Sequence, residues 1–155
     1  MNAIPSLALA SIQMVSTPDW ATNKKNAQTL IAQAADAGAR VIALPEYFCL
    51  MGLHDSDKLD IAEPLADTLI PGTNSTPMQH VLSETAREHG IWLVGGTLPI
   101  RAADSDKVFN TTLVYGPDGS RVLMMYMPGY AQSSGWGLDQ SVNAARARIL
   151  ANLKS

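Results

Sequence analysis

The sequence predicts an α/β fold, and three observations predict it. A strand-like apolar run, an amphipathic helix and a second apolar run follow one another between Ser6 and Leu44. A helix-then-strand pattern recurs between Thr76 and Ile100. An Asp-Gly pair then separates two β-rich runs, the strongest short-range signal for a hairpin. Strand, helix and strand in close succession read as a βαβ-type unit with parallel strands. At 155 residues the chain has the length of one domain, since domains run roughly 100–200 residues.

The elements are justified in order. Ser6 to Val15 is mostly apolar and reads as a first strand, stopped by Pro18 and Asp19. From Asn23 to Ala37 the apolar residues Ala27, Leu30, Ile31, Ala34 and Ala35 fall on one helical stripe. Asp19 or Thr22 is the expected cap, and Gly38 stands where a C-terminal glycine is expected. Arg40 to Leu44 is a continuous apolar run, as in a strand buried on both faces, and Pro45 ends it. Residues 47–74 form a long irregular stretch, of the kind that often carries function.

Thr76 to Gly90 reads as a second helix, with Met78, Val81, Leu82, Thr85, Ala86 and His89 on its stripe. Ile91 to Ile100 reads as a strand. Phe109–Tyr115 and Arg121–Met127 flank the turn Pro117-Asp118-Gly119. After about Val122 the text changes character, with clustered methionines and a Gly/Ser-rich stretch over 132–137. Val142 to Leu153 reads as a short basic amphipathic helix. The domain division expected is 1–122 for the α/β unit and 123–155 for a divergent tail.

Composition narrows the function classes. Eleven Lys+Arg against fourteen Asp+Glu give a net charge of −3, so nothing draws the chain to nucleic acid or an anionic membrane. No segment reaches the roughly 18 consecutive apolar residues of a membrane span. The N-terminus lacks a basic n-region, so a cytoplasmic protein is expected and the Asn74 and Asn110 glycosylation-type triplets are read as chance matches. One cysteine excludes a disulfide framework and a Cys-rich zinc site; no metal and no cofactor are expected.

Glu46 is the most informative position. It stands just past the C-terminal end of a buried strand, where open α/β sheets bind ligands. Position alone leaves two readings open, a solvated loop carboxylate or a partly desolvated acid/base. Cys49 lies among Phe48, Leu50 and Met51, an apolar setting that disfavours thiolate and points to a structural thiol. An unrelated hydrolase using Cys49 with His54 or His89 is a weaker alternative. His54 with Asp55 and Asp57 reads as a solvated cluster before a metal site. His80 reads as a helix-surface residue and His89 as a stripe or helix-end histidine. The chain has no G-x-S-x-G elbow, no P-loop and no dinucleotide fingerprint.

Over roughly residues 6–122 the sequence resembles the carbon–nitrogen hydrolase (nitrilase) superfamily. The resemblance is carried by Leu7-Ala-Leu-Ala-Ser-Ile-Gln-Met14, Ala39-Arg-Val-Ile-Ala-Leu-Pro-Glu46, His89-Gly-Ile-Trp-Leu-Val-Gly-Gly-Thr97 and Phe109-Asn-Thr-Thr-Leu-Val-Tyr-Gly-Pro-Asp-Gly119, in the family's order and spacing. The look is closest to ω-amidase and deaminated-glutathione-amidase-like members. The resemblance implies the N-terminal portion of an αββα sandwich, with part of that fold missing. It also implies amidase-type hydrolysis of a small non-peptide amide by a Glu, Lys, Cys triad.

Only the Glu carries over, onto Glu46 as general base, with Tyr47 beside it as a substrate contact. Met127 and Pro128 occupy the region of the family Lys, and no segment supplies the nucleophilic Cys. The chain is therefore expected to be an inactive fragment, its altered end reflecting a truncation, frame shift or recombination, and to be marginally stable or aggregation-prone. The alternative is a non-catalytic binding module built from half the fold. A homo-oligomer or a complementing chain is the implied partner besides the small amide.

Overall fold

In the computed structural model the described residues are 6–54, 56–66, 75–102 and 107–128. They form one mixed sheet with helices on one side. The order is β1 (Leu9–Ser11), α1 (Trp20–Asp36), β2 (Val41–Ala43), α2 (Asp57–Ile61), α3 (Pro77–His89), β3 (Trp92–Val94), β4 (Leu98–Arg101), β5 (Val108–Tyr115) and β6 (Arg121–Pro128). β1, β2 and β3 pair in parallel, as the predicted βαβ unit requires. β5 runs antiparallel to β3 and β4 along one edge and to β6 along the other.

The first strand is shorter than the apolar run that encodes it. Its partner β2 offers only Val41–Ala43 before Pro45 ends the ladder. α1 begins at Trp20 because Asp19 is its cap: the Thr22 N–H and hydroxyl donate to Asp19 Oδ2 at 2.8 and 2.5 Å. Gly38, at φ +93°, follows the C-cap Ala37. α3 closes on Gly90 in the left-handed conformation, as the sequence predicts.

The predicted strand over 91–100 divides in two. The pairing sum changes by one between Val94↔Val114 and Leu98↔Thr111, so Gly95-Gly96-Thr97 holds an extra residue relative to β5, a bulge. The hairpin forms as predicted. Gly119 takes φ +80°, its N–H donates to Gly116 O at 2.9 Å, and Asp118 Oδ1 accepts from Ser120 N at 2.9 Å. Ser83 Oγ donates to Gly119 O at 2.7 Å, docking the turn on α3. The expected Gly/Ser-rich loop over 132–137 and helix over 142–153 lie outside the described residues.

The core lies between sheet and helices. Ile42, Leu93, Leu113 and Tyr115 point to the side where Ala27 and Ile31 of α1 and Leu82 and Ala86 of α3 pack. The alternate residues form the opposite face. Leu9, Val41 and Trp92 make one row, Ser11, Ala43 and Val94 the next, continued by Val114, Leu123 and Met125. Leu9 is 69% and Met125 50% exposed, and no described helix packs on this face.

Glu63 is a buried carboxylate with an architectural task. Thr76, the residue before α3, makes no side-chain cap bond. Glu63 replaces it from a distance, accepting from Met78 N at 2.5 Å, Gln79 N at 3.2 Å and Gln79 Nε2 at 2.9 Å. His80, expected on the helix surface, is instead half-buried, with Nδ1 shielded and unpartnered.

Burial pushes the Glu63 carboxyl above its ordinary 4.5, against the opposing pull of these donors and of His80. The folded chain thus binds this proton more tightly than the unfolded chain. Its contribution to stability rises as pH falls through the raised value and is flat below 4.5. Urea unfolding of wild type and Glu63→Gln at about pH 7.5 and about pH 5 is expected to show wild type gaining relative to the variant at the lower pH. Equal shifts would refute this. Glu63→Ala leaves the helix donors unpaired in a buried site and is expected to cost about 1–3 kcal/mol.

Candidate functional site

The site begins with what ends β2. Pro45 lacks a ladder N–H and drives the chain out of the sheet, so Glu46 and Tyr47 emerge at the carboxyl ends of the parallel strands. Three groups hold the turn from the neighbouring strands. Gly96, at φ +57°, comes so near that a Cβ on it would lie 2.1 Å from Pro45 O. Thr97 Oγ1 accepts from Tyr47 N at 2.8 Å. Asn110 Nδ2 donates to Glu46 Oε1 at 2.9 Å. Tyr47 is the one non-glycine residue with positive φ among those described, at +51°.

The Glu46 carboxylate is exposed, with Asn110 as its donor among the described residues. Tyr47 lines a cleft of about 430 Å³ together with Leu50, Met51, Gly52, His54 and Lys58. The Lys58 ammonium stands 4.5 Å from the centre of the Tyr47 ring, a cation–π contact. Asp57 Oδ2 accepts from Leu53 N at 2.8 Å and His54 N at 3.0 Å, which ties the carboxylate to the loop backbone. Asp55 lies outside the described residues.

Cys49 turns away from this cleft. It is fully buried, and its thiol donates to Thr97 O at 3.6 Å. Burial pushes the thiol up to about 12, with the Glu63 carboxylate adding to the rise. Asn23 fixes the same segment from α1, donating to Cys49 O at 2.9 Å and to Thr17 O at 2.7 Å. The loop is therefore clamped from both sides, by Asn23 and by the strand bulge.

Sequence reasoning singled out Glu46 and Tyr47 but not Gly96, Thr97, Asn110 or Asn23, which position them. The available signals were the Gly-Gly interruption inside an apolar strand, which marks a bulge or a close backbone approach, and a polar Asn opening a β-rich run. His89 lies at the far end of α3 and takes no part in these contacts.

Such a carboxylate, at the sheet's carboxyl edge and fixed by an amide donor, belongs with the fold in a recognisable class. Residues 8–130 match the carbon-nitrogen hydrolase family, and the chain belongs to it. Among relatives, it is 39% identical over 112 residues to the ω-amidase NIT2 of Danio rerio and 34% identical over 115 residues to that of Homo sapiens. These matches cover 72% and 74% of this chain but 36% and 37% of the relatives, so the chain spans about a third of their length. Among solved structures, Saccharomyces cerevisiae Nit3, a member of branch 10 of the nitrilase superfamily, superposes with a TM-score of 0.58 at 26% identity. That superposition covers 76% of this chain and 46% of Nit3. An amidase from Nesterenkonia sp. shares the fold with a TM-score of 0.61 at 20% identity, covering 83% of this chain and 44% of that one. The described part is thus the N-terminal portion of the nitrilase fold. No helix among the described residues is long and apolar enough to cross a membrane.

Two outcomes are expected here. Gly96→Ala places a methyl against the Pro45 carbonyl at a positive φ and is expected to cost more than about 2 kcal/mol in urea unfolding. Iodoacetamide is expected to label Cys49 at neutral pH roughly a thousandfold more slowly than an unperturbed thiol of pKa about 8.5. Labelling at the free-thiol rate would place Cys49 in solvent.

Proposed function

We propose that this chain carries the general-base segment of a small-amide hydrolase of the ω-amidase type. Glu46 is the base and Tyr47 a wall of the substrate site. The observation that carries this reading is the Glu46 carboxylate, exposed at the end of β2 and held by Asn110. A base must present its oxygens to the proton it takes while keeping a fixed direction. Resemblance to ω-amidases supports a small non-peptide amide as substrate.

On its own this chain does not complete the reaction. Its only cysteine is buried with a raised pKa, so it offers no thiolate for attack on an amide carbon. Positions 127 and 128, in register with Asn110 and Phe109, are Met and Pro and supply no cation for a developing oxyanion. Groups that act as a unit lose nearly everything when one is missing. A second reading, a non-catalytic binding module, draws on the apolar sheet face that includes Leu9, Trp92 and Met125. A complementing chain or a second copy is the partner of either reading.

The purified 155-residue chain is expected to release no ammonia from small amides above the blank. A chimera in which residues 8–119 replace the matching segment of the Danio rerio ω-amidase is expected to hydrolyse them. Glu46→Gln in that chimera should lower kcat by roughly a hundred- to ten-thousandfold. An active chimera indifferent to Glu46→Gln would remove Glu46 from the role of base.

A further inference from the structure

The outer face of the sheet is apolar, and no described helix packs on it. Leu9, Val41 and Trp92 form one row, and Val94, Val114 and Leu123 continue the next toward β6. Leu9 and Met125 are exposed there, while the other face is already filled by α1 and α3. A sheet with one face in a core and an apolar opposite face needs a second layer.

The chain itself supplies a candidate. Residues 1–5, 67–74 and 103–106 lie outside the described ones and are too short to cover such a face. Residues 129–155 are longer and are patterned. Val142, Ala145, Ile149 and Leu153 recur at the three- and four-residue spacing of one helical stripe. Ala144, Ala147 and Ala151, of the best helix-forming type, fall off that stripe. The reach is sufficient. β6 ends at Pro128, paired with Phe109. Residues 129–141 span up to about 40 Å when extended. The face from β6 to β1 is about 19 Å across at the usual strand spacing. A helix over 142–153 would be about 18 Å long, on the same scale. The charges also agree. Residues 129–155 carry Arg146, Arg148 and Lys154 against Asp139, whereas residues 1–128 hold thirteen Asp+Glu against eight Lys+Arg.

We propose that residues 142–153 fold back as a helix and seat Val142, Ile149 and Leu153 on the outer face of the sheet, over Trp92, Val94, Val114 and Leu123. The sheet then lies between two helical layers. This goes beyond the general-base reading and does not depend on it. An outside partner for the same face must first displace the helix.

The test uses the full 155-residue chain with a nitroxide spin label on Ala151→Cys, a position off the apolar stripe; the buried Cys49 stays unlabelled. The label is expected to attenuate the amide signals of Val94, Val114 and Leu123 more strongly than those of Ala27 and Ala86, which lie behind the sheet. Adding Ile149→Asp and Leu153→Asp should abolish that difference and raise the fluorescence of an apolar-surface dye severalfold. If this variant aggregates, the pattern in the chain labelled at position 151 decides alone. An equal mixture of labelled chain and unlabelled, isotope-enriched chain separates the occupants. Attenuation in the unlabelled copies means that a second copy covers the face, and overturns the proposal. Equal attenuation on both sides of the sheet, or strong dye binding by the wild-type chain, overturns it too.

Discussion

The carbonyl of Pro45 and the backbone of Gly96 approach so closely that a single methyl group would separate them. That approach brings the turn after β2 against the bulge between β3 and β4. Once it is made, Thr97 is in place to accept from Tyr47 N, and the segment bearing Glu46 lies within reach of Asn110. The positive φ of Tyr47 is a cost the turn carries because these contacts over-determine it. On the inner side Asn23 grips the carbonyl of Cys49, so the short stretch from Pro45 to Cys49 has no slack at either end.

Two carboxylates illustrate how environment divides labour. Glu63 is buried and spends its oxygens on three donors at the start of α3. Glu46 is exposed, with Asn110 as its donor among the described residues. The first builds the helix that covers the sheet. The second is available to a reaction. Cys49 lies in the core, and the first of these carboxylates adds to the rise of its thiol pKa. A thiol there contributes packing to the core cluster and donates to Thr97 O.

Much of the fold was legible because hydrophobic period and turn chemistry are local. The stripe of α1, the left-handed Gly90 and the Asp-Gly turn all formed where the residues indicated. Glu46 was legible as a position, the first polar residue after a buried strand. What could not be read were groups that act across the chain. Glu63 caps α3 from outside the helix, and Asn110 reaches a residue 64 positions away. Periodicity does not report such pairings. The bulge at Gly95–Thr97 was visible only as two glycines in an apolar run, and its register change appears only once β5 is paired beside it. His80 was misplaced because a residue at the first turn of a helix can be covered by whatever caps that turn, and here it lies beside the Glu63 segment.

β5 pairs with β3 and β4 along one edge and with β6 along the other, so it joins the local hairpin to the parallel half of the sheet. Its pairing with β6 closes a loop of five residues and forms on the microsecond scale of a hairpin. β1 with β2 must instead close across the whole of α1, and β2 with β3 across the long segment from Leu44 to Ile91. The hairpin thus carries a small loop-closure cost, while the parallel half, which holds Glu46, carries a large one. The contact between Asn110 and Glu46 joins the locally closed hairpin to the end of β2, so the candidate site spans the smallest and the largest of these loop closures.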